Sequence, residues 1–391
     1  MLRRNRDFVL LQSGQLLSAF GSSLTGVAYP LLVLGLTHSP AKAGAVTFAW
    51  LLPAPLLALL AGVAADRYDR RRLMLAADGV RAGALAGVSV VVLFTHAYWP
   101  LPALAFVTGV GDVFFQASSL GALRAIVPSE QLPDAVSVQT ARAALVGVVG
   151  PPIGGALFGV ARAAPFAFDA VSYLCSFASI RGIRARFQEQ RERRALDLRS
   201  ELREGFAFLW SQPFLRVTSF LYAIGNVTIP AYLFAVVVVA RRHGFGGGAI
   251  GALLAAFAAS VLVGSALASR ARSRLSVRAI VLAELYLGAA PAAFLAWPSP
   301  WVLTAALLPQ AIVLPITDSV VVARRIALTP DALLGRVDAV RTLLARGTQP
   351  LGPLAAGLLF SATTARVAVG AFVVLGLALA AAGTASRSLN P

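Results

Sequence analysis

Apolar stretches of about 20 residues or more recur from one end of the chain to the other, separated by short connections dense in arginine. That length carries a helix across the hydrocarbon core of a bilayer. The pattern predicts an all-α membrane protein with spans over 9–36, 43–65, 73–95, 98–121, 137–160 and 165–184, then 214–240, 249–269, 279–296, 301–323, 339–362 and 365–386. Spans this long tilt or protrude. Between the two sets, 185–213 is the longest polar stretch: a charged linker, then an amphipathic segment with Phe206, Phe208, Leu209 and Trp210 that suits the membrane surface. The expected organisation is an N-terminal six-helix bundle (1–184), a cytoplasmic linker with its amphipathic helix (185–213) and a C-terminal six-helix bundle (214–391). The first apolar run extends from Phe8 to Leu36 with further spans behind it, so it does not read as a cleavable signal peptide.

Charge then fixes an orientation. Of the 34 basic residues all but Lys42 are arginine, and the net charge is +17. With the N-terminus inside, 25 of them fall in inner segments and five (Lys42, Arg162, Arg241, Arg242 and Arg366) outside. Adding or removing one span scrambles this asymmetry, so the count favours twelve crossings with both termini cytoplasmic. The same distribution reads as membrane topology and not as a nucleic-acid-binding surface. Heavy use of Arg, Ala and Gly suggests a bacterial source, hence the inner membrane. The lone Cys175 excludes an internal disulfide. His38, His96 and His243 are scattered without metal-ligand spacing, so no metal and no cofactor is expected, and an integral-membrane enzyme lacks its constellation of groups.

The halves resemble each other. Segment 123–152 lines up with 324–353 at an offset of 201, Arg124 with Arg325, Leu132 with Leu333, Val136 with Val337 and Pro152 with Pro353. Two related halves around a shared middle site are the requirement of alternating access.

Motifs sharpen the reading. After the second span come Gly62, Asp66, Arg67, Asp69, Arg70, Arg71 and Arg72. This loop resembles the signature between helices two and three of the major facilitator superfamily, in the form associated with the drug-exporter branch that includes enterobactin and macrolide exporters. Gly62 allows close helix approach, and Asp66 can accept from a helix N-terminus. The fifth span holds Gly147, Gly150, Pro151, Pro152, Gly154 and Gly155, similar to the antiporter signature of that superfamily, with a complementary small stripe beginning at Gly251. The resemblance implies the superfamily's fold, twelve transmembrane helices in two pseudo-symmetric six-helix bundles.

Acids inside apolar spans are costly and therefore informative. Asp112, near the middle of the fourth span, is the first candidate for proton coupling or substrate contact. Asp318 is second, and Glu284 and Asp169 are further candidates for proton coupling; Glu284 could pair with an arginine, and Asp169 is expected close to the outer surface, where hydration makes it least demanding. Asp78 and Arg81 form a pair on one face of the third span. Arg142, Arg341 and Arg346 suit gating pairs with acids such as Asp66 and Asp338, or snorkelling. An arginine often used for proton transfer in the fourth span of other drug antiporters is absent here, since Phe106 and its neighbours are apolar. Aromatic candidates for a substrate cavity are Tyr29, Trp50, Phe114, Phe115, Tyr222 and Tyr232. The expectation is a monomeric proton-driven exporter of an amphipathic or hydrophobic small molecule such as a drug, antibiotic or siderophore-like product. An importer or uniporter of the same fold is the first alternative, and a non-transporting sensor or scaffold the second.

Overall fold

Helix ends fall where capping chemistry places them. Asn5 caps α1 (Arg6–Thr37) by accepting from the Phe8 amide at 3.1 Å, and Ser39 caps α2 (Pro40–Leu51). Pro53 restarts the chain as α3 (Pro53–Arg67), and Asp69 caps α4 (Arg70–Val90), which continues through a wider turn at Val91–Thr95. Then follow α5 (Pro100–Ile126), α6 (Leu132–Val160) and α7 (Ala164–Gly182). The later elements are α8 (Leu198–Ser211), α9 (Pro213–Arg242), α10 (Gly247–Arg274), α11 (Val277–Leu287), α12 (Ala293–Ala296), α13 (Pro300–Leu328), α14 (Leu334–Thr348), α15 (Leu351–Ala362) and α16 (Ala365–Ala385). Prolines open α2, α3, α5, α9 and α13, at the position where a missing N–H costs nothing. This computed structural model describes residues 2–187 and 198–389, and among them there is no strand. Most of the charged part of the expected linker, 188–197, lies outside the described residues.

Ten helical stretches among the described residues are long and apolar enough to cross a membrane. Two of the twelve predicted spans take another form. The sixth is α7, only 19 residues long and diluted by Asp169, three serines and Arg181. The eleventh is broken at Gln349–Pro350 into α14 and α15, because Pro350 has no N–H to give the helix.

Contacts divide the chain into two compact units, Met1–Arg193 with Gly244–Ala255, and Arg194–His243 with Ala256–Pro391. The first is centred on Phe8, Leu11, Met74, Phe115, Leu123 and Ile180, and the second on Leu209, Phe214, Leu285, Val337, Val340 and Leu379. The internal repeat survives as geometry with a one-residue slip. Helices α5 and α13 end at Ile126 and Leu328, each followed by a proline (Pro128 at φ −55, ψ 147; Pro330 at φ −57, ψ 143) and one turn of tighter helix. These landmarks are 202 residues apart, so the offset of 201 read from the arginines is corrected by one.

The amphipathic segment forms α8, with Leu209 buried and Phe206 and Trp210 stacked at 5.6 Å on its exposed side. It is tied to α14 by an ion pair between Glu204 and Arg336, and Gly205 lets the two backbones meet.

Candidate functional site

In the first unit, α4 and α5 build a charge cluster. Asp78 and Arg81, one helical turn apart, are buried and form an ion pair. The Arg81 guanidinium also donates through Nη1 to Asp112 Oδ1 at 3.0 Å, and the Trp50 indole N–H donates to Asp112 Oδ2 at 3.1 Å. Its flat faces are covered by Phe115 and Tyr173, 4.2 and 4.1 Å from the ring centroids. Arginine suits this position because its planar cation stacks on aromatics while its edge bonds carboxylates. Two carboxyl groups share one cation. Asp112 is the open edge, its side chain 30% exposed against 0% for Asp78.

The two glycines before Asp112 make this possible. A Cβ at Gly111 would overlap the Arg81 side chain, and one at Gly109 would strike the Trp50 carbonyl and Pro53. Asp112 is therefore not the isolated acid that its apolar neighbours suggested. The signal was present in Asp78 and Arg81 at similar depth in the preceding helix.

Asp169 departs from its expected place near water. It is buried at 1%, where Thr25 donates to it at 2.8 Å and Ser172 at 3.1 Å, over the bare backbone of Gly21. Hydroxyl donors replace the hydration expected there. Tyr29 is packed against Phe166, and Tyr232 against Phe372, with ring centroids 5.1 and 5.9 Å apart; both tyrosines are buried, as is Phe115. Trp50 and Phe114 are half-buried.

The loop after α3 is organised by its arginines. Arg70 bonds the Asp66 carboxylate at 3.3 Å and the Ala65 carbonyl at 3.0 Å, and its guanidinium fills the space left by Gly121. Arg71 donates to the carbonyls of Ile183 and Ala185 at 2.6 and 2.7 Å, closing the end of α7. Arg67 and Arg72 are exposed. The close approach expected at Gly62 is not seen: no described atom of another helix lies within 4 Å of where its Cβ would sit.

The Gly-Pro-Pro stretch is a packing surface. Side chains at Gly150 and Gly154 would collide with Ser23 and the Leu24 backbone of α1. At Gly155 a Cβ would strike the Gly247 carbonyl, and at Gly251 the Pro151 carbonyl, so the first turns of α10 lie backbone to backbone against α6. Such contact is available only to residues with no side chain in the way.

Among the described residues Arg142 pairs with no acid. Its Nη1 donates to the Gln12 and Gln15 carboxamide oxygens, each at 2.8 Å. Arg341 does find its expected partner, Asp338, at 3.3 Å, and Arg325 shares that carboxylate at 2.5 Å.

In the second unit, Glu284 accepts from the Tyr222 hydroxyl at 3.2 Å. Tyr222 and Asn226 form the wall between two chambers. One, of about 30 Å³, holds Glu284 and Gln310; the other, of about 240 Å³, holds Asp318, Arg341 and Gln349. Among the described residues no group of three or more His, Cys, Asp or Glu could hold a metal ion.

Comparison with known proteins agrees with this architecture. The profile of the MFS_3 family, described as transmembrane secretion effector, matches residues 3–389. The multidrug efflux pump Tap of Mycolicibacterium fortuitum is 28% identical over 370 residues, which cover 90% of this chain and 89% of that protein. The enterobactin exporter EntS of Salmonella paratyphi A is 30% identical over 165 residues, 40% of this chain and 38% of EntS. Among solved structures, a bacterial homologue of the iron transporter ferroportin superposes with a TM-score of 0.77 at 16% identity, covering 99% of each chain, a likeness in fold.

Proposed function

We propose that this chain, which belongs to the MFS_3 family of transmembrane secretion effectors, exports an amphipathic or hydrophobic small molecule in exchange for protons. The observation that carries the proposal is the Asp78–Arg81–Asp112 cluster. A carboxylate at the open edge of a buried ion pair can exchange a proton or meet a substrate group, while Arg81 and Asp78 stay in place. Similarity to an efflux pump along nearly the whole chain supports the outward direction.

In this reading 1–184 and 214–391 act as two bundles, joined by 185–213, that expose a midplane site alternately to each side of a bacterial inner membrane. Both termini lie in the cytoplasm, in keeping with the arginine asymmetry. Protons entering from outside discharge the acids of the spans (Asp112 foremost, then Asp318, Glu284 and Asp169) and drive the substrate out. Asp66, Arg70 and the Gly-Pro-Pro surface serve the conformational change. The protein works as a monomer.

The test is drug susceptibility and proton-linked efflux in a host lacking its own pumps, with direction read in everted vesicles. In everted vesicles wild type alkalinises the lumen as substrate enters it, and Asp112→Asn loses efflux while remaining inserted. Proton-dependent efflux unchanged in Asp112→Asn removes that residue from the mechanism, and net uptake by intact cells establishes an importer.

A further inference from the structure

We infer that Arg142, with the Gln12 carboxamide beside it, is a receptor for an anionic oxygen (carboxylate, phenolate or phosphate) on the molecule carried. The inference rests on the transport reading above and names the chemistry of its substrate.

Gln12 and Gln15 lie three residues apart on one face of α1 and turn both carboxamide oxygens to the same guanidinium nitrogen of Arg142, on α6. Arg142, which can only donate, draws the oxygen end of Gln15, and Ser119 of α5 takes the other end. The Gln15 amide nitrogen donates to the Ser119 hydroxyl at 2.8 Å, leaving the oxygen for Arg142. The cation is thus held in place by neutral groups alone. No carboxylate lies within 4 Å of it among the described residues, whereas Arg325 and Arg341 each have one and Arg81 has two. A charge withdrawn from water normally finds an opposite charge, because amide oxygens do not neutralise it.

The unused atoms at this place are also of one kind. Gln12 Nε2 and Arg142 Nε are both buried and lack an acceptor. Two unsatisfied donors beside an uncompensated cation are the complement of an anionic oxygen. The residue is only half-buried, so the position can be approached. One turn to either side on the same helix face, Val138 and Leu145 are 44% and 57% exposed, an apolar ledge for the body of an amphipathic anion. An organic cation is repelled from the same spot.

The experiment uses the full chain in phosphatidylcholine nanodiscs and reads its thermal midpoint. Benzoate, salicylate and 2-naphthoate are compared with benzamide, salicylamide and 2-naphthamide, which keep the shape and lose the charge. We expect at least one acid to raise the midpoint where its amide does not. Apparent affinity falls roughly 10- to 100-fold in Arg142→Gln and is partly kept in Arg142→Lys. Ser119→Ala, which only frees Gln15 to turn, weakens binding roughly fivefold and carries the test if Arg142→Gln does not fold.

Equal responses to acids and amides, no response to any acid, or an undiminished response in Arg142→Gln overturns the proposal. In phosphatidylglycerol nanodiscs, suppose the lipid stabilises wild type but not Arg142→Gln and abolishes the acid response. The site then belongs to a lipid headgroup, and the substrate assignment falls. Binding is read without transport, so export without acid binding sinks this inference alone, and acid binding without export sinks only the transport reading.

Discussion

At the scale of single residues, the arrangement around Arg81 decides most. Its guanidinium answers two carboxylates and lies between two aromatic rings. Arg81→Met strands Asp78 and Asp112 in apolar surroundings and is expected to destabilise the protein by about 3–5 kcal/mol, seen as a lower unfolding midpoint in detergent. Asp112→Asn keeps one acceptor oxygen, for Arg81 or for Trp50 but not both, and is expected to lower the midpoint far less than Arg81→Met while efflux is lost. A midpoint drop as large as that of Arg81→Met would make Asp112 a structural residue. Asp66 differs. Its side chain is 59% exposed and its pair with Arg70 lies at the surface, where such pairs contribute about 0–1 kcal/mol. Asp66→Asn should therefore be inserted in normal amounts yet lose efflux, checked by membrane immunoblot beside the susceptibility assay; full efflux would leave the loop a topological device.

At the scale of elements, α6 is the informative helix because its small residues serve different neighbours. Gly154 meets the α1 backbone and Gly155 the first turn of α10, whereas Gly159 of the same helix faces open space. Gly155→Val must push α10 away, because its obstacle is a backbone carbonyl and not a pliable side chain. Abolished efflux is expected from Gly155→Val and near-normal efflux from Gly159→Ala, measured at matched membrane levels. Equal tolerance at both positions would mean that the backbone contact is dispensable for transport. The interruption of the eleventh stretch at Gln349–Pro350 belongs here too. Its partner in the repeat, α6, carries two prolines without breaking, so α14 with its charged residues can end where α15 begins.

For the whole molecule, the arginine asymmetry predicts that reporters fused at both ends are active in the cytoplasm, and that one placed in the connection near Arg241 and Arg242 is active outside. Termini on opposite sides would break the pairing of two six-helix halves. Repeat symmetry carries the same expectation, since the proline turns at Pro128 and Pro330 adopt nearly the same backbone conformation 202 residues apart.

The placement of ten of the twelve expected spans was legible in the order of residues. Crossing a bilayer demands a long apolar run whatever surrounds it, and Asn5, Ser39 and Asp69 mark helix starts through local hydrogen bonds. Family resemblance was legible for the same reason, since Gly62 to Arg72 and Gly150 to Gly155 are contiguous. Beyond the Asp78–Arg81 pair, what the buried charges meet was not. Arg81 reaches Asp112 across 31 positions and Arg142 reaches Gln12 across 130, while Glu284 finds a tyrosine and Asp169 two hydroxyls. Partnership inside the spans depends on which helix faces which, and at what depth. Packing alone determines that, so the chain's own order yields the spans and their acids, and the tertiary structure assigns their partners.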